Sequence, residues 1–481
     1  MSKRNLDETD AVEVEGQDKK RLKSPNPGLL AASPTSTPPS QASHPVLELS
    51  YLAKDAKGAV NAVPFQLPTQ LISFSYTPDR VLEFNDSALR YFVDPPRGAR
   101  LSYGYDRWVR RPEERGRIDS LLKAWQKFGT EHPGALGEVG VVSWRGVMTK
   151  ILTAPYEERD SWELNVMLVN GTMYFEEHLS EEKLQSKNDV GPRHRIQMYY
   201  GYSFESWCTS ESPSPASPSG NPIQSMSDGH PPGWGGDVNT NVQWCSVVKT
   251  KLGNTRMVIG GEVDCVRGMY TGKPDNFVEL KTSLTIRGVS DEARFEKKLI
   301  KFYFQSFLLG VPEITVGFRT PSGVLSTVQS FRTIEIPRLV RGKPGAWDPA
   351  LCLEWGDRFL RELRSAIDVP SVDTPTPDSG KDGVPSNLPV WRVSFSPKVG
   401  ITVKKLDKAG VMDVEAGDEE ERIGFFPKCS LSVRIYFMNC RQFSYARTAF
   451  DQYMYTPPSG LGACEQWDLW ALEGPEGLQI F

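Results

Sequence analysis

The stretch GGEVDCVRGMYTGKPDNFVELKTS, residues 260–283, is the most informative part of the chain, because it contains two short acidic motifs. Glu262 and Asp264 form an acid-x-acid pair, and Glu279 and Lys281 form an acid-x-lysine pair after a turn-rich gap. In a β-strand alternate side chains share one face, so each pair is expected to point to one side of its own strand. If the two strands are neighbours, three carboxylates and one ammonium group converge on a single patch.

Such a patch needs a compensating charge. Two like charges about 4 Å apart repel by about 4 kcal/mol at an effective dielectric constant of about 20. A hard divalent cation, Mg²⁺ or Mn²⁺, would satisfy the carboxylates and keep positions open for phosphate oxygens. Lys281 would then face phosphate or orient the attacking water. The alternative is a cross-strand ladder of salt bridges on a solvated face. Either pair alone favours that ladder, and both pairs on adjacent strands favour a metal site.

Composition restricts the class of protein. The chain has 481 residues, 39% of them hydrophobic and 24% charged, which is typical of a soluble protein with a core. Its net charge of −4 means that any nucleic-acid binding must be local. The seven cysteines form no CxxC motif and the five histidines are scattered, so neither a disulfide framework nor a zinc site is expected. No apolar run reaches the 18 residues or so of a membrane span, and the N-terminus has no signal-peptide pattern.

Shifts in composition divide the chain into three parts. Residues 1–65 are predicted to be a disordered tail, whose basic clusters at 3–4 and 19–23 favour either a nuclear import signal, and so a location in the nucleus, or a solvated charge run. Residues 66–407 are predicted to form one catalytic domain, with a flexible insertion at 209–236 and a loop at 371–389. Residues 408–481 are an appendage for which the sequence predicts no structure.

The domain is predicted to be α+β, with mixed β-sheets flanked by helices. Alternating and apolar segments indicate strands, and an Asn-Gly pair at 170–171 indicates a hairpin. Residues 290–310 are expected to form a helix with Ser290 as its N-cap and Gly310 at its C-terminal end. Two further helices are predicted at ERGRIDSLLKAWQKF and LCLEWGDRFLRELRSAI. The other predicted strands are LISFSYT, EVGVVSW, VQWCSVVKTKL, TRMVIGGEVDCV, NFVELKTSL, EITVGFRT, residues 331–336 and a last strand, WRVSFSP.

The helix that follows the acidic motifs provides a second signal. Its polar positions Arg294, Lys298, Lys301 and Gln305 form one stripe, which fits either a phosphate channel or a solvated basic face. Gln305 stands among apolar residues, so its amide needs polar partners, and a ligand phosphate would be one.

Two segments upstream complete the candidate site. Arg145 follows a strand, where its guanidinium suits phosphate, and Gly146 lets a ligand approach the backbone closely. GYSFES offers Glu205 as a further carboxylate.

Several motifs in order resemble the decapping-nuclease family, whose members include the decapping exoribonuclease DXO and fungal nuclear decapping proteins. The resemblance covers about residues 66–407. It rests on FNDSALRYF, LSYGYDRWVRR with RIDSLL, SWRGVMTKI with TAPYEERDSWEL, GYSFES, GGEVDCV, FVELKTS and KFYFQSFLLGVPEITVGFR. The insertion at 209–236, which widens the gap between Glu205 and Glu262, departs from the family pattern.

The resemblance implies roles for individual residues. The metal ligands would be Glu205, Glu262, Asp264, Glu279 and the carbonyl of Leu280, and the catalytic set would be Glu262, Asp264, Glu279 and Lys281. The substrate would be bound by Arg80, Trp144, Arg145, Gly146, Cys245, Glu262, Lys281 and Gln305. Two divalent ions per site, Mg²⁺ or Mn²⁺, are implied as cofactors.

The implied activity is metal-dependent hydrolysis at RNA 5′ ends. Family members release pyrophosphate from 5′-triphosphate RNA and GpppN from incomplete caps, and some remove NAD caps or digest onward 5′→3′. The resemblance also implies a nuclear 5′→3′ exoribonuclease as protein partner. Two other functions stay open: a restriction-type DNA endonuclease, because an acid followed by ExK is also the signature of that class, and a non-catalytic protein that stabilises the exoribonuclease.

Overall fold

The computed structural model describes residues 47–50, 62–135, 138–213, 229–343, 345–368, 388–417 and 420–428. The predicted import signal, most of the predicted tail, the centre of the predicted insertion and the loop at 371–387 lie outside these ranges. None of the helices in the described ranges is both long and apolar enough to cross a bilayer.

Within the described ranges, the larger sheet has ten strands. In chain order they are β1 (Leu47–Leu49), β2 (Phe65–Tyr76), β3 (Leu82–Glu83), β5 (Val141–Trp144), β6 (Trp162–Val169), β7 (Thr172–His178), β9 (Gln243–Leu252), β10 (Thr255–Glu262), β15 (Trp391–Ser396) and β16 (Gly400–Lys405). Their spatial order is β1-β16-β15-β6-β7-β5-β10-β9-β2-β3. Strand β5 runs parallel to both its neighbours and the other pairs are antiparallel, so the sheet is mixed.

The smaller sheet contains the acid-x-lysine motif and has six strands among the residues that the structure describes. Its members are β4 (Tyr91–Phe92), β8 (Thr209–Ser210), β11 (Cys265–Val266), β12 (Phe277–Leu284), β13 (Glu313–Arg319) and β14 (Leu325–Arg332). Their order is β14-β13-β12-β11-β4-β8. A hairpin of β17 (Arg422–Ile423) and β18 (Phe426–Pro427) stands apart from both sheets.

Helices cover the sheets. They are α1 (Asp119–Glu131), α2 (Arg145–Thr153), α3 (Glu181–Asn188), α4 (Pro192–Trp207), α5 (Val289–Phe307), α6 (Ile336–Val340), α7 (Pro349–Ile367) and α8 (Lys408–Glu415). The main core joins α2, α5 and α7 to residues of both sheets. A second core places α1 on the ten-stranded sheet, and a third packs α4 against the six-stranded sheet. The predicted α+β class with helix-flanked mixed sheets is confirmed.

The predicted Asn-Gly hairpin is confirmed between β6 and β7. Asn170 and Gly171 have φ values of 50° and 73°, the positive pair that a two-residue type I′ turn requires. The helices predicted around residues 119, 299 and 358 form as α1, α5 and α7.

Some predicted boundaries are wrong. Helix α5 begins at Val289 after Gly288, so Ser290 lies inside the helix and does not cap it. The strand predicted at 331–336 ends at Arg332, because a 3₁₀ turn and the proline-containing helix α6 follow it. WRVSFSP is not the last strand, since β16 pairs with it along its length.

Both predicted domain limits also need correction. Leu47–Leu49, assigned to the tail, pairs with β16 in the ten-stranded sheet. Residues 408–417 and 420–428, assigned to the appendage, form α8 and the β17–β18 hairpin, and they bury Val414 and Phe425 in the core beside α1. At the insertion, Thr209–Ser210 forms β8 and Gly235 donates to the carbonyl of Ser206, so its edges belong to the domain.

Candidate active site

The acid-x-acid motif lies where the chain passes from one sheet to the other. Glu262 is the last residue of β10 in the ten-stranded sheet, and Asp264 directly precedes β11 in the six-stranded sheet. The expectation that one continuous strand carries both acids is therefore wrong. Both side chains nevertheless line the same cavity.

Asp264 and Glu279 are held together by strand pairing. β11 and β12 are antiparallel, with Cys265 opposite Val278, so Asp264 stands beside the start of the ExK motif. The Leu280 amide donates to Asp264 Oδ2 at 2.6 Å. Asp264 is 8% exposed and Glu279 is fully buried. The condition for a metal site, that the two acidic segments lie side by side, is therefore met for Asp264 and Glu279.

Two cations compensate the buried Glu279 carboxylate. Arg145 Nη1 donates to Glu279 Oε2 at 2.9 Å, and Lys281 Nζ bonds the other oxygen, Oε1. Burial opposes the charged form of Arg145, but the carboxylates of Glu279 and Asp264 outweigh it and raise the pKa of this guanidinium. The ion pair joins the first residue of α2 to β12, and so fixes the helix against the acidic site.

Gly260 and Gly261 let α2 approach β10 closely. A Cβ on Gly261 would lie 2.8 Å from Leu309 Cδ1 and 3.0 Å from Arg145 Cβ. A Cβ on Gly260 would lie 2.8 Å from the Trp144 ring. Gly261 therefore leaves room for the Arg145 side chain beside β10, and Gly260 leaves room for the Trp144 ring.

Two cavities meet at Glu262. Cavity A, of about 420 Å³, runs beside α2 and α5, and cavity B, of about 370 Å³, lies beside the C-terminal half of α4. Glu113, Glu114, Gln243 and Glu262 stand in the walls of both. Both volumes fall in the range of small-ligand sites.

The structure gathers most of the predicted site residues around these cavities. Cavity A is lined by seven of the eight predicted substrate residues, namely Arg80, Trp144, Arg145, Gly146, Cys245, Glu262 and Gln305. Lys281 is outside the cavity wall and stays with Glu279. Cavity B is lined by Glu205, Glu262 and Asp264.

Local contacts hold the predicted site residues at the cavity walls. Trp144 donates to the Arg117 carbonyl at 3.2 Å, and Cys245 pairs with Glu262 across β9 and β10. Arg80 lies 3.4 Å from the centre of the Tyr76 ring, and burial lowers the pKa of its guanidinium, with the positive charge of Arg111 adding to this effect. Glu205 is on α4, which contributes Tyr202 and Ser206 to cavity B as well.

The basic stripe of α5 divides into two parts. Lys301 and Gln305 line cavity A, whereas Arg294 is at the exposed start of the helix and pairs with Asp291 at 2.9 Å. Lys301 also lies 3.3 Å from Glu157. The phosphate-channel interpretation therefore remains for Lys301 and Gln305, while Arg294 lies on solvated surface.

The donor set suits a hard divalent ion, since carboxylate and carbonyl oxygens are its preferred ligands. Among the described residues, no three Asp, Glu, His or Cys side chains form a group that could hold an ion as they stand. Glu279 is bonded by Arg145 and Lys281, and Asp264 accepts from a main-chain amide. The ligand assignments stay a prediction.

Several lining residues were not predicted. Glu113 and Glu114 follow a run of arginines, and Lys150 lies one turn along α2 from Arg145. Gln243 opens β9 as an isolated polar residue. Sequence patterns could not single out any of these, because each resembles an ordinary surface position.

The family model "RAI1 like PD-(D/E)XK nuclease" matches residues 66–429. This chain belongs to the RAI1-like PD-(D/E)XK nuclease family. Its relatives include "Decapping nuclease RAI1" of Mycosarcoma maydis, 36% identical over 76% of this chain and 86% of the relative. The human "Decapping and exoribonuclease protein" is 34% identical over 63% of this chain and 76% of the relative.

Solved structures agree with the family. Rai1 of Scheffersomyces stipitis, in complex with (3′-NADP)⁺ and calcium ion, matches with a TM-score of 0.62 and 26% identity over 77% of this chain and 96% of that one. Rai1 of S. pombe with 3′-FADP matches with a TM-score of 0.55 and 26% identity, over 73% and 97%. The predicted family, nuclease fold and decapping-nuclease activity at RNA 5′ ends are confirmed, as is a divalent metal in general as cofactor.

Proposed function

We propose that this chain hydrolyses RNA 5′ ends at the junction of cavities A and B and leaves 5′-monophosphate RNA. The substrates would be 5′-triphosphate RNA, incompletely capped RNA and NAD-capped RNA, releasing pyrophosphate, GpppN and the NAD cap respectively. The observation that carries this proposal is the position of Glu262, which itself lines both cavities, with six other predicted substrate residues in cavity A on one side and Glu205 and Asp264 in cavity B on the other. Structures of relatives with bound 3′-NADP and 3′-FADP support the NAD-cap substrate.

Different residues of the site would bind the metal ions and the substrate phosphate. Glu205, Glu262, Asp264, Glu279 and the Leu280 carbonyl would hold two ions, Mg²⁺ or Mn²⁺. When bound, these ions supply positive charge to the phosphate oxygens and activate a water. Arg145 and Gln305 would bind phosphate in cavity A, and Lys281, released from Glu279, would orient the attacking water or bind the same phosphate.

The charge balance supports this assignment. In the structure Arg145 and Lys281 neutralise the buried Glu279 carboxylate, with side chains 5% and 11% exposed. A buried carboxylate without a counter-ion is strongly destabilised. The two basic groups therefore stabilise the buried carboxylate in a position where it could hold a cation.

The proposal is tested with short RNAs bearing a 5′ triphosphate, an unmethylated cap, an NAD cap or a 5′ monophosphate, in Mn²⁺, Mg²⁺ or EDTA. Asp264→Asn keeps an acceptor for the Leu280 amide and removes the charge. Release of pyrophosphate, GpppN or NAD that is abolished by EDTA and reduced at least a hundredfold by this variant is expected. Asp291→Asn, a half-buried acid in the first turn of α5 with a side chain 29% exposed, serves as the matched control.

Absence of any released product from wild-type protein would contradict the proposal and favour a stabilising protein without catalysis. Cleavage of DNA at the same rate as RNA would favour the endonuclease. Shortening of the 5′-monophosphate RNA would add 5′→3′ exonuclease activity.

We also propose a nuclear location and a nuclear 5′→3′ exoribonuclease as partner. The basic residues at 19–23 support the location, and the family resemblance supports the partner. A fluorescent fusion in which these residues are changed to serine tests the first, and co-purification from nuclear extract tests the second. A fusion that stays nuclear without them would contradict the assigned signal.

A further inference from the structure

Gln243 stands between two charged residues of the candidate site, at the wall that separates the two cavities. Its side-chain oxygen accepts from Arg80 Nη1 at 2.6 Å, and its side-chain nitrogen donates to Glu262 Oε2 at 2.6 Å. We propose that Gln243 is a positioning residue that couples Arg80, on the substrate side, to Glu262, on the metal side. This inference rests on the proposed function and assigns a new residue to that site.

The direction of the amide is fixed by its partners. An arginine guanidinium has only donors, and an ionised carboxylate has only acceptors. Gln243 can therefore bond both only with its oxygen toward Arg80 and its nitrogen toward Glu262. Glutamine provides one acceptor and one donor at a fixed separation, so a single side chain sets the orientation of both groups.

The Arg80 side of this link is strongly constrained. Arg80 Nη1 also donates to the Asn241 carbonyl at 2.9 Å, and the guanidinium lies against Tyr76. The Arg80 backbone has a φ of 65°, a conformation that L-residues adopt only where the surroundings enforce it. Both hydrogen bonds use the same nitrogen, and Arg80 also lines cavity A.

The same link also orients Glu262, whose side chain lines both cavities. Glu262 is half-buried at the end of β10, where the ladder stops and the main chain turns toward the second sheet. The amide holds Oε2, and so sets the direction in which the carboxylate presents itself to cavity B. Glu262 would thus already be oriented when a substrate phosphate binds Arg80.

The test compares two substitutions in the full chain. Gln243→Met removes donor and acceptor at similar size. Gln243→Glu keeps the acceptor for Arg80, removes the donor and places a second carboxylate beside Glu262. Affinity for fluorescein-labelled 5′-phosphorylated RNA in EDTA reports on Arg80, and kcat on triphosphate RNA in Mn²⁺ reports on Glu262. Gln329→Met, an exposed glutamine on β14, is the matched control, and thermal unfolding confirms that each variant is folded.

Gln243→Met is expected to weaken RNA binding about tenfold and to lower kcat at least tenfold. Gln243→Glu is expected to bind RNA within twofold of wild type while kcat falls at least tenfold. Arg80→Met combined with Gln243→Met should bind RNA no more weakly than Arg80→Met alone, because the two residues act through one contact.

Three results would overturn the coupling: a Gln243→Met protein that matches wild type in both measurements, equal losses of RNA affinity in the two variants, or multiplicative effects in the double variant. If wild-type protein hydrolyses no RNA end, the proposed function fails. The binding measurements in EDTA still decide whether Gln243 positions Arg80.

Discussion

Arg145 and Glu279 form a buried ion pair between residues 134 positions apart in the sequence, with an Nη1–Oε2 distance of 2.9 Å. Their side chains are 5% and 0% exposed, so water screens neither charge. The contact joins the start of α2 to the six-stranded sheet and holds the walls of both cavities in place. Stability and the candidate site thus depend on the same two side chains.

Glu279→Gln should destabilise the protein by about 3–5 kcal/mol in EDTA, because it leaves the charges of Arg145 and Lys281 without their carboxylate. Urea unfolding measures the change. Arg267→Met breaks the exposed pair with Glu313, whose side chains are 46% and 22% exposed, and should cost about 1 kcal/mol or less. Equal losses in the two variants would contradict a special role for the buried pair.

A second prediction concerns the path of RNA along cavity A. Lys301 lines this cavity, whereas Lys297, one turn earlier on α5, is 65% exposed and is not among the lining residues. Loss of one phosphate contact lowers the slope of log affinity against log salt by about 0.7 for single strands. Lys301→Met should show that decrease for 5′-phosphorylated RNA, measured by fluorescence anisotropy over a KCl series.

Lys297→Met should leave both the affinity and the slope unchanged. If wild type and Lys301→Met show the same affinity as well as the same slope, the RNA binds elsewhere. A loss of affinity at constant slope would mean that Lys301 shapes the cavity without binding a phosphate.

Elements with a regular pattern were predictable from the sequence. Asn170-Gly171 specifies its turn by local conformation alone, and α1, α5 and α7 each bury one face. Helix α4 was not predicted, because it buries Tyr199, Gly201 and Phe204 among other residues and therefore shows no polar stripe. Glu205 could be identified only by its resemblance to a family motif, and its place in cavity B follows from α4.

Long-range contacts explain the other differences. Residues 408–428 look like an appendage in sequence, yet Arg117 donates to the carbonyls of Val414 and Ala416, each at 2.9 Å. Arg422 bonds Asp119 Oδ2 at 2.6 Å. Such pairs have no local signature, and neither does the link from Gln243 to Arg80 and Glu262. Spacing could predict that acidic groups converge, but not which basic and amide groups would hold them.

A third prediction concerns pH. Glu176, on β7, is buried, and desolvation raises the pKa of its carboxyl to about 8, against the attraction of Arg117, which bonds it at 2.9 Å. Between about pH 4.5 and 8 the folded protein keeps a proton that the unfolded chain has released. Stability should therefore fall as pH rises through this window, by at most ~1.4 kcal/mol per pH unit from this group.

Glu176→Gln should remove this contribution, so that its advantage over wild type grows from pH 5 to pH 8 in urea unfolding. Glu335→Gln, at a more exposed position (46%), controls for the loss of one carboxylate. Parallel pH profiles for wild type and Glu176→Gln would show that Arg117 keeps the carboxylate ionised throughout.

The last prediction separates a glycine needed for folding from one needed for binding. Gly261→Ala should destabilise by about 1–3 kcal/mol, because its Cβ would press on Leu309 and Arg145. A Cβ on Gly146 would meet no atom within 4 Å, and Gly146 lies inside α2, where alanine is favoured by up to about 1 kcal/mol. Gly146→Ala should therefore unfold at the same urea concentration as wild type or a higher one.

Gly146 also lines cavity A, beside Arg145. If RNA approaches the backbone at Gly146, the methyl group of alanine would clash with the RNA but with no atom of the protein. Gly146→Ala should then bind 5′-phosphorylated RNA about tenfold more weakly, although its stability is unimpaired. Wild-type affinity in this variant would mean that the RNA passes Arg145 without touching the start of α2, and the guanidinium alone would then account for recognition there.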